Sequence, residues 1–228
     1  AQDKLPVIAF SFSAGRCDRL LRATVESLLR EEEIARSKPE WKRSLHELEA
    51  REEAHAKRVE AFMKKQKQGL NQEQAEMLAP SEGRTSAGLQ FKMLLDHSFL
   101  NPDNRVDDSL KKYIEGRIKR LARTGLHHSF VTGLERGIGV HHRQMPSQYR
   151  RIVEMLFRMR QLNVIFATGT LSLGINMPCR SVVFCGDGLY IDSVNYRQMG
   201  GRAGRRGQDD VGHVVFFGLP HSKVRALL

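Results

Sequence analysis

Val164-Ile165-Phe166-Ala167-Thr168-Gly169-Thr170-Leu171-Ser172-Leu173-Gly174-Ile175-Asn176-Met177-Pro178 is an apolar run that breaks off into small, hydroxylated and glycine residues. A strand covered on both faces reads as a near-continuous apolar run, and in parallel sheets the functional loops leave the carboxyl ends of the strands. The stretch therefore predicts a buried parallel strand over 163–167 that delivers a functional loop. On either side, Pro6–Ser13, Gly137–His142, Ser181–Cys185 and His213–Gly218 are further short β-rich runs. Between them fall helical stripes. Cys17, Leu20, Leu21, Val25, Leu28 and Leu29 follow Ser13, a natural N-cap. Leu110, Tyr113, Ile114, Ile118 and Leu121 follow Ser109 and stop near Gly125. Tyr149, Ile152, Val153, Leu156 and Phe157 follow Ser147, with Arg150, Arg151, Arg158 and Arg160 outward. Strands alternating with helices predict an α/β fold, a mainly parallel sheet with helices on both faces.

Residues 31–69 break this rhythm. They are highly charged, with Trp41, Leu45, Leu48, Val59 and Phe62 along one seam and Glu52 and His55 interrupting it, which predicts a helix of about thirty residues packing along that seam. Residues 71–108 mix glycine, proline, serine and asparagine with short apolar pieces such as Leu89–Leu95, and predict irregular structure with one or two short helices. The organisation expected is a first strand-helix unit over 1–30, a charged helical insertion and irregular region over 31–108, and the remainder of the lobe over 109–228.

Gln198-Met199-Gly200-Gly201-Arg202-Ala203-Gly204-Arg205-Arg206-Gly207 carries the most pointed chemistry. Arginine holds a permanent charge on a rigid five-donor fork that matches phosphate oxygens. On a helix begun near Asn195, Gln198, Arg202 and Arg205 would share one face. The plainer alternative is a basic helix end that touches any polyanion. His141 and His142 invite a metal reading, but neighbours on a strand point to opposite faces and no cysteine or carboxylate joins them at ligand spacing. No metal ligand is expected.

The net charge is +11 over 228 residues, which favours nucleic acid or another polyanion as partner. Cys17, Cys179 and Cys185 lack metal-ligand spacing, and no stretch approaches the length of a transmembrane helix. An intracellular location is expected, cytoplasmic rather than nuclear, with no membrane partner. The chain opens at Ala1 directly into a strand, which reads as a piece of a longer protein.

The loop after 164–167 and the arginine-glycine stretch together resemble motifs V and VI of superfamily-two nucleic-acid helicases of the DExH type. Ala-Thr-Gly-Thr-Leu-Ser-Leu-Gly-Ile-Asn-Met-Pro, with Asn195-Tyr196-Arg197-Gln198-Met199 and Gly-Arg-Ala-Gly-Arg-Arg-Gly, is most similar to the superkiller-like branch, and within it to antiviral-type DExD/H-box RNA helicases. Pro6–Ser13 resembles motif IV, and Gly137–His142 an element of the same branch, although Arg143-Gln144-Met145 depart from the small residues usual there. The resemblance covers nearly the whole chain except the insertion, and it implies the C-terminal RecA-like lobe of a two-lobed motor. It implies that Arg202 and Arg205 reach the γ-phosphate, Arg205 as the arginine finger, and that Gln198 lies near the attacking water. It also implies nucleotide coupling at Gly174 and Asn176, and RNA phosphate contact at Ser13, Thr168 and Gly169.

The sequence holds no Gly-x-x-x-x-Gly-Lys-Ser/Thr loop and no Asp-Glu-x-His quartet, so ATP and Mg would be held mainly by an N-terminal lobe of the same protein. The chain alone is expected to be inert. The expected partner is RNA, single-stranded or duplex with an overhang, with Leu189-Tyr190-Ile191-Asp192 favouring RNA and DNA still possible. A scaffold with a degenerate motor, binding RNA or proteins through its basic helices and insertion, is the alternative.

Overall fold

The structure, a computed structural model, describes residues 4–65, 85–100, 108–172, 177, 179–186, 191–205 and 207–228. They form two units, one of residues 1–28 and 98–228, the other of residues 29–97.

The larger unit is built on β1 (Val7–Phe10), β2 (Ile138–His141), β3 (Val164–Ala167), β4 (Ser181–Cys185) and β5 (His213–Phe217). Their order is β2-β3-β1-β4-β5, and every pairing is parallel. Parallel neighbours need crossovers, which the intervening helices supply. β2 and β3 are buried along their whole length, as their unbroken apolar runs require, whereas the edge strand β5 leaves Val215 and Phe217 exposed. The register is in phase at both ends. Val7 lies beside Val164 and Ser181, and Phe10 beside Ala167 and Phe184. The sheet therefore has a well-defined amino edge and carboxyl edge.

Helix α1 (Ala14–Ser37) starts where the sequence predicts. The Ser13 hydroxyl accepts a hydrogen bond from the Arg16 amide at 3.3 Å, and Cys17, Leu21 and Val25 are buried. The helix of about thirty residues expected within 31–69 is α2 (Pro39–Lys65), 27 residues long and carrying the whole seam from Trp41 to Phe62; it begins anew after α1 stops at Ser37. Proline disfavours helical geometry in the residue before it, yet suits the first position of a helix. In this smaller unit α3 (Ser86–Asp96) is capped by Thr85, whose hydroxyl accepts from the Gly88 amide at 3.0 Å. The Glu52 carboxylate of α2 accepts from the Ser86 amide at 2.9 Å and from the Ser86 hydroxyl. Glu52, one of the polar interruptions of the α2 seam, is thus a tie to α3.

Two further caps differ from expectation. Helix α4 (Asp108–Ala122) already includes Ser109, and α6 (Ser147–Arg158) takes Pro146 as its N-cap with no side-chain bond from Ser147. The fixed proline φ sets the chain up for entry into the helix, so the serine is not needed. The stripe predicted for α6 is buried at all five positions. Helix α5 (His128–Glu135) precedes β2, α7 (Ser193–Gly200) follows β4, and α8 (His221–Leu227) follows β5. Gly125, at φ 76°, ends the turn after α4 as expected of a C-terminal glycine. The core gathers Ile8, Phe10, Leu21, Tyr149, Ile165 and Met199. No described helix is long and apolar enough to cross a membrane.

Candidate nucleic-acid and phosphate interface

At the carboxyl edge, β1 and β3 deliver their loops side by side, because the Ser11 amide donates to the Ala167 carbonyl at 2.8 Å. Ser13 and Thr168, expected to meet RNA phosphates, are therefore brought to the same edge from strands distant in sequence. Ser13 is exposed and Thr168 half-buried, its amide donating to the His141 carbonyl at 3.2 Å. The Ser13 hydroxyl, although it caps α1, keeps its own proton for an acceptor. Gly169 opens a short 3₁₀ turn over Gly169–Ser172, and a Cβ there would come within 3.1 Å of Met199 Cε on α7. The absent side chain lets motif V lie close against α7. Sequence reading passed over Arg16, which leans across the same edge. Its guanidinium reaches the Cys185 carbonyl at 3.5 Å, and a Cβ on Gly186 would lie 1.7 Å from its Nη1.

The two histidines point apart as their strand geometry requires. Buried His141 pairs through Nε2 with Glu154 of α6 at 2.9 Å, and buried His142 with Asp18 of α1 at 2.8 Å. They brace β2 against the helices. Burial pushes the His141 pKa down, with the Glu154 hydrogen bond opposing it. No group of three or more metal-ligating side chains is placed together among the described residues.

The arginine-glycine stretch departs most from expectation. Asp192 caps α7, its Oδ1 accepting from the Asn195 amide at 2.7 Å. Tyr196 packs against Phe184 and Phe216 at ring-centroid distances of 5.5 and 5.7 Å, which seats α7 on β4 and β5. The helix then ends at Gly200, so Arg202 and Arg205 do not share a helical face with exposed Gln198. The chain instead zips onto the segment before β4. Cys179 and Ala203 form a parallel bridge, the Cys179 amide donating to the Arg202 carbonyl at 3.1 Å and the Gly204 amide to the Cys179 carbonyl at 2.8 Å. Gly204 has φ +89°, and a Cβ on Gly212 would meet the Ala203 carbonyl group at 2.5 Å. Paired glycines and a left-handed residue favour this exit over continued helix. Because Cys179 precedes Ser181, at the start of β4, Arg202 and Arg205 belong to the amino edge.

Arg205 is held firmly there. Its Nε and Nη2 each donate to the Asp209 carboxylate at 2.7 Å, and its amide donates at 3.0 Å. This hydrogen bonding carries the Asp209 pKa down to about 2 and raises that of Arg205. Burial pulls the Arg202 guanidinium below its ordinary value, and places the Cys179 thiol beside it at about 12. Gly174, Asn176, Leu189, Tyr190 and Arg206 lie outside the described residues.

The family of helicase conserved C-terminal domains matches residues 117–207, the span from α4 to this loop. The probable ATP-dependent RNA helicase DDX60-like of Homo sapiens is 54% identical over 94 residues, 41% of this chain and 6% of that protein. The uncharacterized helicase C28H8.3 of Caenorhabditis elegans is 36% identical over 236 residues, 99% of this chain and 13% of the relative. The exosome RNA helicase MTR4 of Homo sapiens is 44% identical over 89 residues, 36% of this chain and 8% of that protein. The chain thus spans a small part of the length of the curated relatives it matches. One match runs almost end to end through sheet and helical segment alike, and the chain belongs to the superfamily-two helicases, as a C-terminal RecA-like lobe.

Proposed function

We propose that this lobe serves an ATP-dependent RNA helicase of the superkiller-like branch, supplying the arginine finger and part of the RNA-binding surface, with residues 31–108 as an insertion. The observation that supports this most is the separation of two phosphate-seeking sets on one sheet. Ser13, Thr168 and Gly169 stand at the carboxyl edge, where a nucleic-acid backbone can be gripped. Arg202 and Arg205 stand at the amino edge, and Gln198 on α7 between the edges. Motif V leaves Thr168 at the first edge and returns at Cys179 at the second, so the chain itself links them. Gly174 and Asn176 fall within that link and would carry the coupling of nucleotide state to RNA grip.

In phosphoryl transfer the charge spreads over the γ-phosphoryl oxygens, and a cation fixed beside them lowers the barrier. Arg205 fits that task because its fork is already oriented, and Arg202 because its charge is partly withdrawn from water. ATP and Mg would be held mainly by an N-terminal lobe, with closure favoured when nucleotide and RNA bind together. The names of the relatives support RNA rather than DNA as the strand gripped, and a cytoplasmic setting fits such a motor. The test is RNA-stimulated ATP turnover by a protein joining this lobe to its N-terminal partner, beside Arg205→Ala and beside this chain alone. Turnover that needs both lobes and falls about a hundredfold or more in the variant supports the motor. RNA binding without turnover supports the scaffold instead.

A further inference from the structure

We propose that Asp209 is a positioning residue for Arg205, holding the guanidinium by its Nε/Nη2 edge so that the Nη1/Nη2 edge is presented to the γ-phosphoryl oxygens. This rests on the arginine-finger reading and adds to it a residue outside the Gln198–Gly207 stretch. The planar guanidinium offers five N–H donors in a fixed fork. Asp209 takes the Nε donor and one of the two on Nη2, each at 2.7 Å. By that geometry the second Nη2 donor and both Nη1 donors point away from the carboxylate, and the second Nη2 donor with the Nη1 donor parallel to it makes the bidentate edge that a phosphate accepts. A carboxylate seated end-on across Nη1 and Nη2 would compete with nucleotide. Seated side-on, it leaves that edge to the phosphate.

The surroundings fix the carboxylate itself. Its side chain is 0% exposed and that of Arg205 18% exposed, so the arginine has the outward path and the aspartate has none. The Gln208 and Asp209 amides both donate to the Arg205 carbonyl at 3.0 Å, closing a turn in which Asp209 also binds the Arg205 amide. Arg160, in left-handed conformation at φ 56°, donates to Gln208 Oε1 at 2.6 Å, and Arg180 stands 3.9 Å from the carboxylate. A free arginine side chain loses rotamer entropy when it engages phosphate; here that ordering is already complete before nucleotide arrives. Asp209 stays ionised throughout neutral pH, since its pKa lies far below.

The experiment uses the protein with both lobes and compares Asp209→Ala, Asp209→Asn, Arg205→Ala and the Arg205→Ala/Asp209→Ala double variant. ATP turnover is measured at saturating RNA, alongside the KM for ATP, RNA affinity and the melting temperature. Asp209→Ala is expected to lower kcat by about tenfold to a hundredfold, the cost of a loosened catalytic group, with the KM for ATP changed far less. Asp209→Asn, which keeps the shape but offers one acceptor oxygen, should fall between. The double variant should be no slower than Arg205→Ala alone, because a positioning residue has nothing left to position. Full kcat in Asp209→Ala and Asp209→Asn while Arg205→Ala is slow overturns the proposal. A further slowing in the double variant overturns it too, by marking Asp209 as a general support of the fold. Full activity in Arg205→Ala removes the arginine-finger reading itself, a failure distinguishable from the other two.

Discussion

The two edges of the sheet are built by different means. At the carboxyl edge, loops spring from strand ends and present small polar groups, Ser13, Thr168 and Gly169, on short local supports. At the amino edge, the segment carrying Arg202 and Arg205 is stitched down by backbone bonds to Cys179, by the Gly212 approach and by the Asp209 fork. The contrast suits the two tasks proposed for these edges. A strand of nucleic acid must slide and be released, so its contacts are shallow and adjustable. A transition-state charge is met at one place for an instant, and donors that need no reorganisation serve it best.

The comparison can be broken most decisively at the amino edge. Arg205→Ala should lower RNA-stimulated ATP turnover by about a hundredfold or more while leaving nucleotide-free RNA affinity unchanged. A parallel loss of RNA affinity would mean that the edges are not separate. Next in size, Gly212→Ala drives a Cβ against the Ala203 carbonyl and should cost about 1–3 kcal/mol in denaturant unfolding. Turnover should fall with it, since the arginine loop must shift. Unchanged stability would show that loop to be loosely held.

Smaller effects belong to the carboxyl edge. Thr168→Val should weaken RNA binding by a few-fold, in line with loss of one neutral hydrogen bond of about 1 kcal/mol, without altering the KM for ATP. Equilibrium binding at fixed salt checks this, and a change in KM instead would assign Thr168 to the nucleotide. The smallest effect is the pH response of buried His141. Its folded pKa lies below the ordinary 6.5, so folding favours the neutral ring. That contribution is complete above 6.5 and is lost as pH falls from there through the lower folded value. The urea midpoint should drop between pH 7.5 and pH 5, and His141→Gln should flatten the drop.

Much of the lobe was legible without coordinates. β3 and the stripe of α6 are read directly from apolar runs and helical spacing, because each is decided by which face must leave water. The Ser13 cap was legible too, since a cap is a contact between near neighbours in sequence. Where a second local device competes, as Pro146 does with Ser147, pattern alone chose wrongly. The arginine stretch shows a deeper limit. Its spacing fits a helical face, yet the observed exit from α7 is stabilised by Cys179 and Gly212, whose proximity no local pattern records.

Apolar runs and motif spacing thus determined by themselves that this chain is an α/β lobe carrying an arginine-glycine stretch, because those properties follow from residue types and periods of two to four. Only tertiary structure decided that β1 lies between β3 and β4, that Ser13 joins Thr168 at one edge, and that Arg205 is gripped at the other by Asp209. Each of those depends on which distant backbones can share hydrogen bonds while burying one core, a condition imposed by the whole fold and by no single stretch.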